Sequence, residues 1–376
     1  MRVMTIVGTR PEIIRLSLVI KLLDQHAEHI LVHTGQNSDD RLNGLFFREL
    51  AVRDPDVFMG IQGTSFADQI GKILAGVEQL LLQYRPQRLL ILGDTNSGLT
   101  ALVARRMGIP VYHMEAGNRC YDDRVPEEIN RRVIDHSSTI LMPYTYRSKE
   151  NLLQEGIPGQ RIYVVGNPIK EVMDSYAEQV QASKIHDELG IQQGKFFLVT
   201  LHRAENVDIV ERLTTIFQSL GALAAAYDYP VICSFHPRTR AKAEKFQFDV
   251  SKCGVRCVPP LGFFDFVRLE QTAFCTLTDS GTVQEETCIM QVPNVTIRDV
   301  TERPETIECG SNLLSDCDKD SILRAVAFAT GQSHAWTPPQ EYLAAGVSAN
   351  VCRILLNHRM PDLSEVRWNQ ECRQLA

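Results

Sequence analysis

Short apolar runs alternate with amphipathic stretches along the first half of the chain. Residues 3–7, 30–34, 88–92, 111–114, 139–142 and 162–165 are apolar runs of strand length. Between them, residues 12–25, 66–84 and 97–107 carry the 3.6-residue period of a helix. Strand and helix in alternation predict a mostly parallel sheet covered on both faces, because parallel neighbours need a crossover. Gly166-Asn167-Pro168 breaks the pattern. A second series follows at 196–201, 231–235, 255–258, 274–278 and 294–297, again with helical stretches such as 210–227. The pattern predicts an α/β chain of two Rossmann-like domains facing across a cleft, 1–167 and 168–354. Residues 347–359 read as a helix, and the segment at about 355–376 is expected to pack back on the first domain.

Composition narrows the function without changing this picture. At 376 residues the chain is long enough for two cores, and 44% hydrophobic with 23% charged residues is ordinary for a globular protein. A net charge of −7 disfavours a nucleic-acid partner, which needs a basic face, but leaves room for a local basic pocket holding a phosphorylated small molecule. Ten cysteines include no Cys-x-x-Cys, and no third ligand stands near Cys253 and Cys257, so no metal site is expected. The thiols read as small apolar core residues. No apolar run is long enough to span a bilayer, and the chain opens directly into a strand without signal-peptide architecture. A cytoplasmic location without membrane insertion is expected.

Reactive residue types gather where the predicted strands end, the place where open α/β sheets bind ligands. Gly8-Thr9-Arg10-Pro11-Glu12 follows the first strand, with Pro11 suited to the first helical turn. Backbone N–H groups there can face a phosphate and Arg10 can clamp it; an ordinary turn with a solvated arginine is the alternative. No G-x-G-x-x-G occurs in the right context, which disfavours a bound NAD, and no cofactor is expected. Asp94, in Gly93-Asp94-Thr95, is either a helix N-cap or part of an acidic cluster with Glu115 and Glu127. Three acids at neighbouring strand ends suit proton removal and return, whereas Glu127 and Arg131, one turn apart, can also be a salt-bridged helix start.

In the second half, His202 follows the strand ending at Thr200-Leu201 and can donate to phosphate oxygens; a surface histidine at a capped helix is the alternative. His236, in Ser234-Phe235-His236-Pro237, has a similar strand-end position. Thr278-Asp279-Ser280-Gly281-Thr282 ends a strand and starts a helix whose N-terminus can hold a diphosphate, and Glu286 further along it can accept from a ribose diol. Arg303, in a charged loop, either reaches the diphosphate or is solvated.

Taken together, Gly-Thr-Arg-Pro-Glu, Gly-Asp-Thr, Glu-Ala-Gly, Pro-Glu-Glu-x-Asn-Arg, Asp-Ser-Gly and Thr-Glu-Arg-Pro-Glu, in this order from Gly8 to Glu305, resemble the non-hydrolysing UDP-N-acetylglucosamine 2-epimerase family. The resemblance implies a glycosyltransferase-B type fold, usually as a homodimer, and inversion at C2 of a UDP-N-acetylhexosamine without metal or redox cofactor. The implied route is anti elimination of UDP to 2-acetamidoglucal and re-addition, interconverting UDP-GlcNAc and UDP-ManNAc. By matched position it implies Asp94, Glu115 and Glu127 as catalytic acids, with His202 assisting near the diphosphate. Arg10, Ser280, Gly281, Thr282, Glu286 and Arg303 match UDP contacts, Arg131 orients the carboxylates, and Phe266 matches an aromatic near the uracil. Arg15 stands where the family often has lysine, and is expected to bind substrate along with His236. Leu261 replaces a frequent glutamine, and Thr34-Gly35-Gln36-Asn37-Ser38 replaces the Gln-His-rich segment that binds a second, activating UDP-GlcNAc. Gly35-Gln36-Asn37 and Asn118-Arg119-Cys120 also resemble the branch that epimerises a UDP-6-deoxy-L-talose derivative to UDP-N-acetyl-L-fucosamine. A glycosyltransferase on the same fold and a non-catalytic nucleotide-sugar sensor are the other function classes.

Overall fold

The structure is a computed structural model and describes residues 1–36, 40–331 and 335–358. Asn37 and Ser38 of the Thr34–Ser38 segment, and the terminal residues 359–376, lie outside the described residues. The chain divides into two compact units, Met1–Val172 with the segment from Ala344 onward, and Met173–Leu343. The division falls five residues after the Gly166-Asn167-Pro168 break, inside the helix Ile169–Ser175.

The first unit holds a parallel six-stranded sheet of β1 (Arg2–Val7), β2 (Glu28–His33), β3 (Val57–Phe58), β4 (Arg88–Leu92), β5 (Val111–Met114) and β6 (Ile140–Met142), in the order β3-β2-β1-β4-β5-β6. The second holds β7 (Phe197–Thr200), β8 (Val231–Ser234), β9 (Val255–Val258), β10 (Cys275–Thr278), β11 (Asn294–Ile297) and β12 (Asn312–Ser315), in the order β12-β11-β10-β7-β8-β9. Counted from its own first strand, each sheet has the same order. Each therefore reverses its winding once, between β1 and β4 and between β7 and β10, and a crevice opens beyond the strand ends there.

The strands are apolar on both faces because helices cover both. In β7, Phe197 and Val199 join one buried cluster with Leu213, Phe217 and Leu277. Leu198, with the preceding Phe196, joins the opposite cluster with Ile232 and Leu269. In the first unit Met4 and Ile6 pack with Ile73, Val77 and Leu81 of the helix Phe66–Tyr84. The helix Val347–Asn357 packs on the helix Arg10–His26, with Ser348 N–H donating to Glu171 at 2.9 Å and Arg88 reaching the carbonyl of His358 at 2.8 Å.

Three local expectations differ from the structure. Residues 162–165 run extended beside β6 but make a single bridge, Leu141 to Ile162, so no seventh strand forms. The helix expected from 97 begins as a 3-10 turn, Asn96–Leu99, before Thr100–Arg106. Strands β3 and β12 were not expected: one has two residues, and the other lies at a sheet edge with Leu314 exposed.

Candidate functional site

In the first unit, strands β4 and β5 carry the candidate acids Asp94 and Glu115 at their carboxyl ends. Leu92 and Met114 are register partners, so Asp94 and Glu115 leave neighbouring strands within one residue of the same level. Glu115 sits in the left-handed region at φ 64, a strained placement for a residue with a side chain. Two residues on, a Cβ at Gly117 would come within 2.3 Å of the Ser148 carbonyl, so only glycine lets this turn pass the neighbouring helix.

A guanidinium meets each of these two acids. Arg15, 1% exposed on the helix Arg10–His26, pairs with Glu115 at 2.5 Å and lies over the Tyr144 ring. Arg131 reaches Asp94 through Nε at 2.9 Å and a terminal nitrogen at 2.7 Å, and pairs with Glu128 at 2.8 Å. Asn118 donates to the second oxygen of Glu115 at 3.3 Å. Glu127 is half-buried in the first turn of the helix Pro126–Ser137, one turn before Arg131. Behind them, His113 bridges the Gly93 carbonyl and Asp135, each at 2.9 Å. These two contacts, one from each ring nitrogen, pin the Gly93-Asp94 turn. Burial raises the pKa of Asp135, but the hydrogen bond and charge of His113 and the charge of Arg119 outweigh it and hold this carboxyl below its usual range.

The turn after β1 differs from the expected phosphate cradle. The Gly8 and Thr9 N–H groups donate to the carboxyl of Glu12 at 2.8 and 2.6 Å, and the Thr95 hydroxyl donates to its other oxygen at 2.8 Å. The chain's own carboxyl occupies the place assigned to an anion. Burial pushes Glu12 up to about 7 against the lowering effect of those hydrogen bonds. Arg10 is half-buried, with its guanidinium 5.9 Å from the centre of the Phe46 ring. Thr9-x-x-Glu12 has the spacing of a capping box, the signal by which Glu12 could have been found.

In the second unit the ends of β7 and β10 meet. Asp279 is fully buried and accepts from the backbone of His202 at 3.0 Å and Arg203 at 2.9 Å. Burial raises its pKa, but the His202 charge and these hydrogen bonds outweigh that and lower it to about 2. His202 Nδ1 lies 3.1 Å from Asp279, and the ring is 5.4 Å from that of His236. Arg238 N–H donates to Nδ1 of His236 at 3.2 Å, which puts the proton of a neutral ring on Nε2.

The N-cap of the helix Gly281–Met290 is Ser280, whose side chain makes no capping hydrogen bond. Ser280 and Thr282 share a hydroxyl contact of 2.9 Å. The Arg303 guanidinium lies over this turn: a Cβ on Gly281 would sit 3.6 Å from its central carbon. Arg303 is held there by Glu285, to which its Nε donates. Glu286 is buried on the same helix, and Phe266 of the helix Phe263–Thr272 is half-buried against the Phe196 and Leu269 cluster. An uncapped helix N-terminus beside a tethered guanidinium suits a phosphate or diphosphate.

The family model described as UDP-N-acetylglucosamine 2-epimerase matches residues 21–356. The chain belongs to the UDP-N-acetylglucosamine 2-epimerase family. Members of this family are isomerases. The UDP-N-acetylglucosamine 2-epimerase of Methanocaldococcus jannaschii is 39% identical over 350 residues, 90% of this chain and 95% of that protein. A crystal structure of the M. jannaschii enzyme in complex with UDP-GlcNAc and UDP matches with a TM-score of 0.90 at 38% identity, covering 94% of this chain and 99% of that one. The UDP-2,3-diacetamido-2,3-dideoxy-D-glucuronate 2-epimerase of Pseudomonas aeruginosa is 36% identical over 337 residues, 89% of this chain and 93% of that protein. A glycosyltransferase of lipopolysaccharide biosynthesis, 13% identical with a TM-score of 0.55 over 98% of both chains, shares the fold alone. The architecture of this epimerase family member is α/β, of the glycosyltransferase-B type. Among its described residues no helix is long and apolar enough to cross a membrane.

Sequence reasoning named Asp94 and Glu115 together with Arg15 and Arg131, which hold them, but not the buried polar residues around either candidate site. Glu12, His113, Glu128, Asp135, Asp279 and Glu285 are buried polar partners; apart from Glu12, in its capping-box spacing, and Asp135, a linear pattern does not separate them from surface charge. Asp135 had one usable signal: it lies four residues after Arg131, on the same helical face.

Proposed function

We propose that this family member interconverts UDP-GlcNAc and UDP-ManNAc. The reaction is anti elimination of UDP to 2-acetamidoglucal, followed by re-addition. The C2 proton is not adjacent to a carbonyl, so simple deprotonation is too slow. A base takes that proton while the C1–O bond to UDP breaks and the C1–C2 double bond forms. A proton then arrives at C2 on the opposite face, and UDP re-adds at C1. Two proton-handling groups and donors for the departing diphosphate are needed.

Asp94, Glu115 and Glu127 supply the proton-handling groups, with Arg15 and Arg131 fixing two of them in place. His202 donates to the leaving diphosphate. The N–H groups of the turn at Ser280, Gly281 and Thr282 hold that diphosphate with Arg303, and Glu286 accepts from the ribose diol. Phe266 lies near the uracil, and Arg10 and His236 line the substrate. The observation that carries the reading is the pair of acids on adjacent strand ends, each gripped by a guanidinium, in a chain of this family.

A second reading, a UDP-6-deoxy-L-talose derivative epimerised at C2, is favoured by Asn118, a residue of that branch, which donates to Glu115. One experiment tests both: each UDP-sugar is incubated with the protein in D2O and C2 is followed by NMR. UDP-GlcNAc should invert and take up deuterium at C2 with no acceptor present. A product from the 6-deoxy sugar alone moves the assignment to the second reading. Transfer of the sugar to an acceptor without exchange at C2 overturns both in favour of a glycosyltransferase.

A further inference from the structure

The helix Phe263–Thr272 packs against the helix Gly281–Met290. From the first of these, Glu270 is turned inward with no exposed surface, and among the described residues no N–H or O–H group donates to either of its carboxyl oxygens. The group it meets is another carboxyl, that of Glu286, itself only 6% exposed. Two buried carboxylates side by side do not both ionise, because each loses its hydration and each repels the other. Burial first, and then the charge of Glu286, push Glu270 well above the usual carboxylate range. One proton resolves the conflict: a protonated carboxyl donates, and an ionised one accepts. Glu270 is the deeper of the two and is the better place for the neutral form.

We propose that Glu270 is a buried carboxylic acid that donates to one oxygen of Glu286 and thereby turns the rest of that carboxylate toward the ribose diol of the nucleotide. The proposal rests on the reading of Glu286 as the ribose-binding group. The terminal torsion of a glutamate is broad, so a hydrogen bond to one oxygen narrows the orientations of its carboxylate. A short charge-assisted hydrogen bond from Glu270 fixes its plane. Glu270 does not touch the nucleotide; it is a positioning residue for ribose recognition.

The test is calorimetric titration with UDP and with 2′,3′-dideoxy-UDP. Wild type should prefer UDP by about ten- to a hundredfold, the worth of hydrogen bonds to a charged group. Glu270→Gln, whose amide can donate the same bond, should keep that preference. Glu270→Leu should lose most of it while binding 2′,3′-dideoxy-UDP as wild type does; a merely structural defect would weaken both ligands alike. Full preference in Glu270→Leu overturns the proposal. Full preference in Glu286→Ala instead removes Glu286 from the ribose, a separate failure of the underlying reading. Should Glu270→Leu not fold, infrared difference spectra of wild type against Glu270→Gln decide. At neutral pH a protonated-carboxyl band should disappear in the variant, and its absence from wild type overturns the proposal.

Discussion

The two units wind in the same order, yet their switch points are built oppositely. Beyond β1 and β4, the N-terminus of the helix Arg10–His26 is closed by the carboxyl of Glu12, and the surrounding acids are held by Arg15 and Arg131. Beyond β7 and β10, the acid of the turn, Asp279, is drawn inward by the backbone of His202 and Arg203, and the helix Gly281–Met290 is left uncapped beneath Arg303. One topology thus provides a place where carboxylates are fixed and another where an anion is welcome. The difference lies in the side chains: a glutamate in the third helical position fills the first site, and Val283 in the same position leaves the second open.

The comparison breaks most visibly at the acids. Asp94→Asn, Glu115→Gln or Glu127→Gln should each lower turnover by about 10²–10⁴-fold, the usual worth of general acid–base catalysis. Steady-state rates on UDP-GlcNAc check this, and unaltered turnover in all three would defeat the assignment. Next comes Glu12, raised from 4.5 to about 7, which makes roughly 3 kcal/mol of stability pH-dependent. Its folded pKa exceeds its unfolded one, so the contribution is present below pH 4.5 and lost as pH rises to about 7. Glu12→Gln keeps an acceptor for Gly8 and Thr9 and cannot ionise; urea melts across that range should show a slope in wild type that flattens in the variant.

The remaining two predictions sharpen the second switch point. Arg303→Ala should weaken UDP binding by about ten- to a hundredfold, the cost of losing a charge-assisted hydrogen bond. Calorimetry checks it, and unchanged affinity removes Arg303 from the site. Gly281→Ala should weaken UDP by about tenfold, near 1.4 kcal/mol, with thermal stability unchanged. The added methyl stands at ordinary contact distance from Arg303 but within the space an anion would take.

The alternation of apolar runs was enough to read both sheets' inner strands, since a buried parallel strand must be apolar on both faces. Edge strands β3 and β12 escaped because they are short or half-exposed, and 162–165 looked like a strand while pairing through one bridge only. At the site, residues next to strand ends were legible because topology puts them at the crevice. Of their supports, only Arg15 and Arg131 were. Glu12 lies in the Gly8–Glu12 motif that reads as an anion cradle, yet it competes with the anion for the same N–H groups. Glu270 itself belongs to no motif, and only the packing of Phe263–Thr272 on Gly281–Met290 brings it to Glu286.

The division between the two switch points is tested most directly by titrating UDP into the triple variant Asp94→Asn, Glu115→Gln, Glu127→Gln. Affinity within about tenfold of wild type, alongside lost turnover, is the predicted result. Loss of UDP binding together with the three acids would contradict the account.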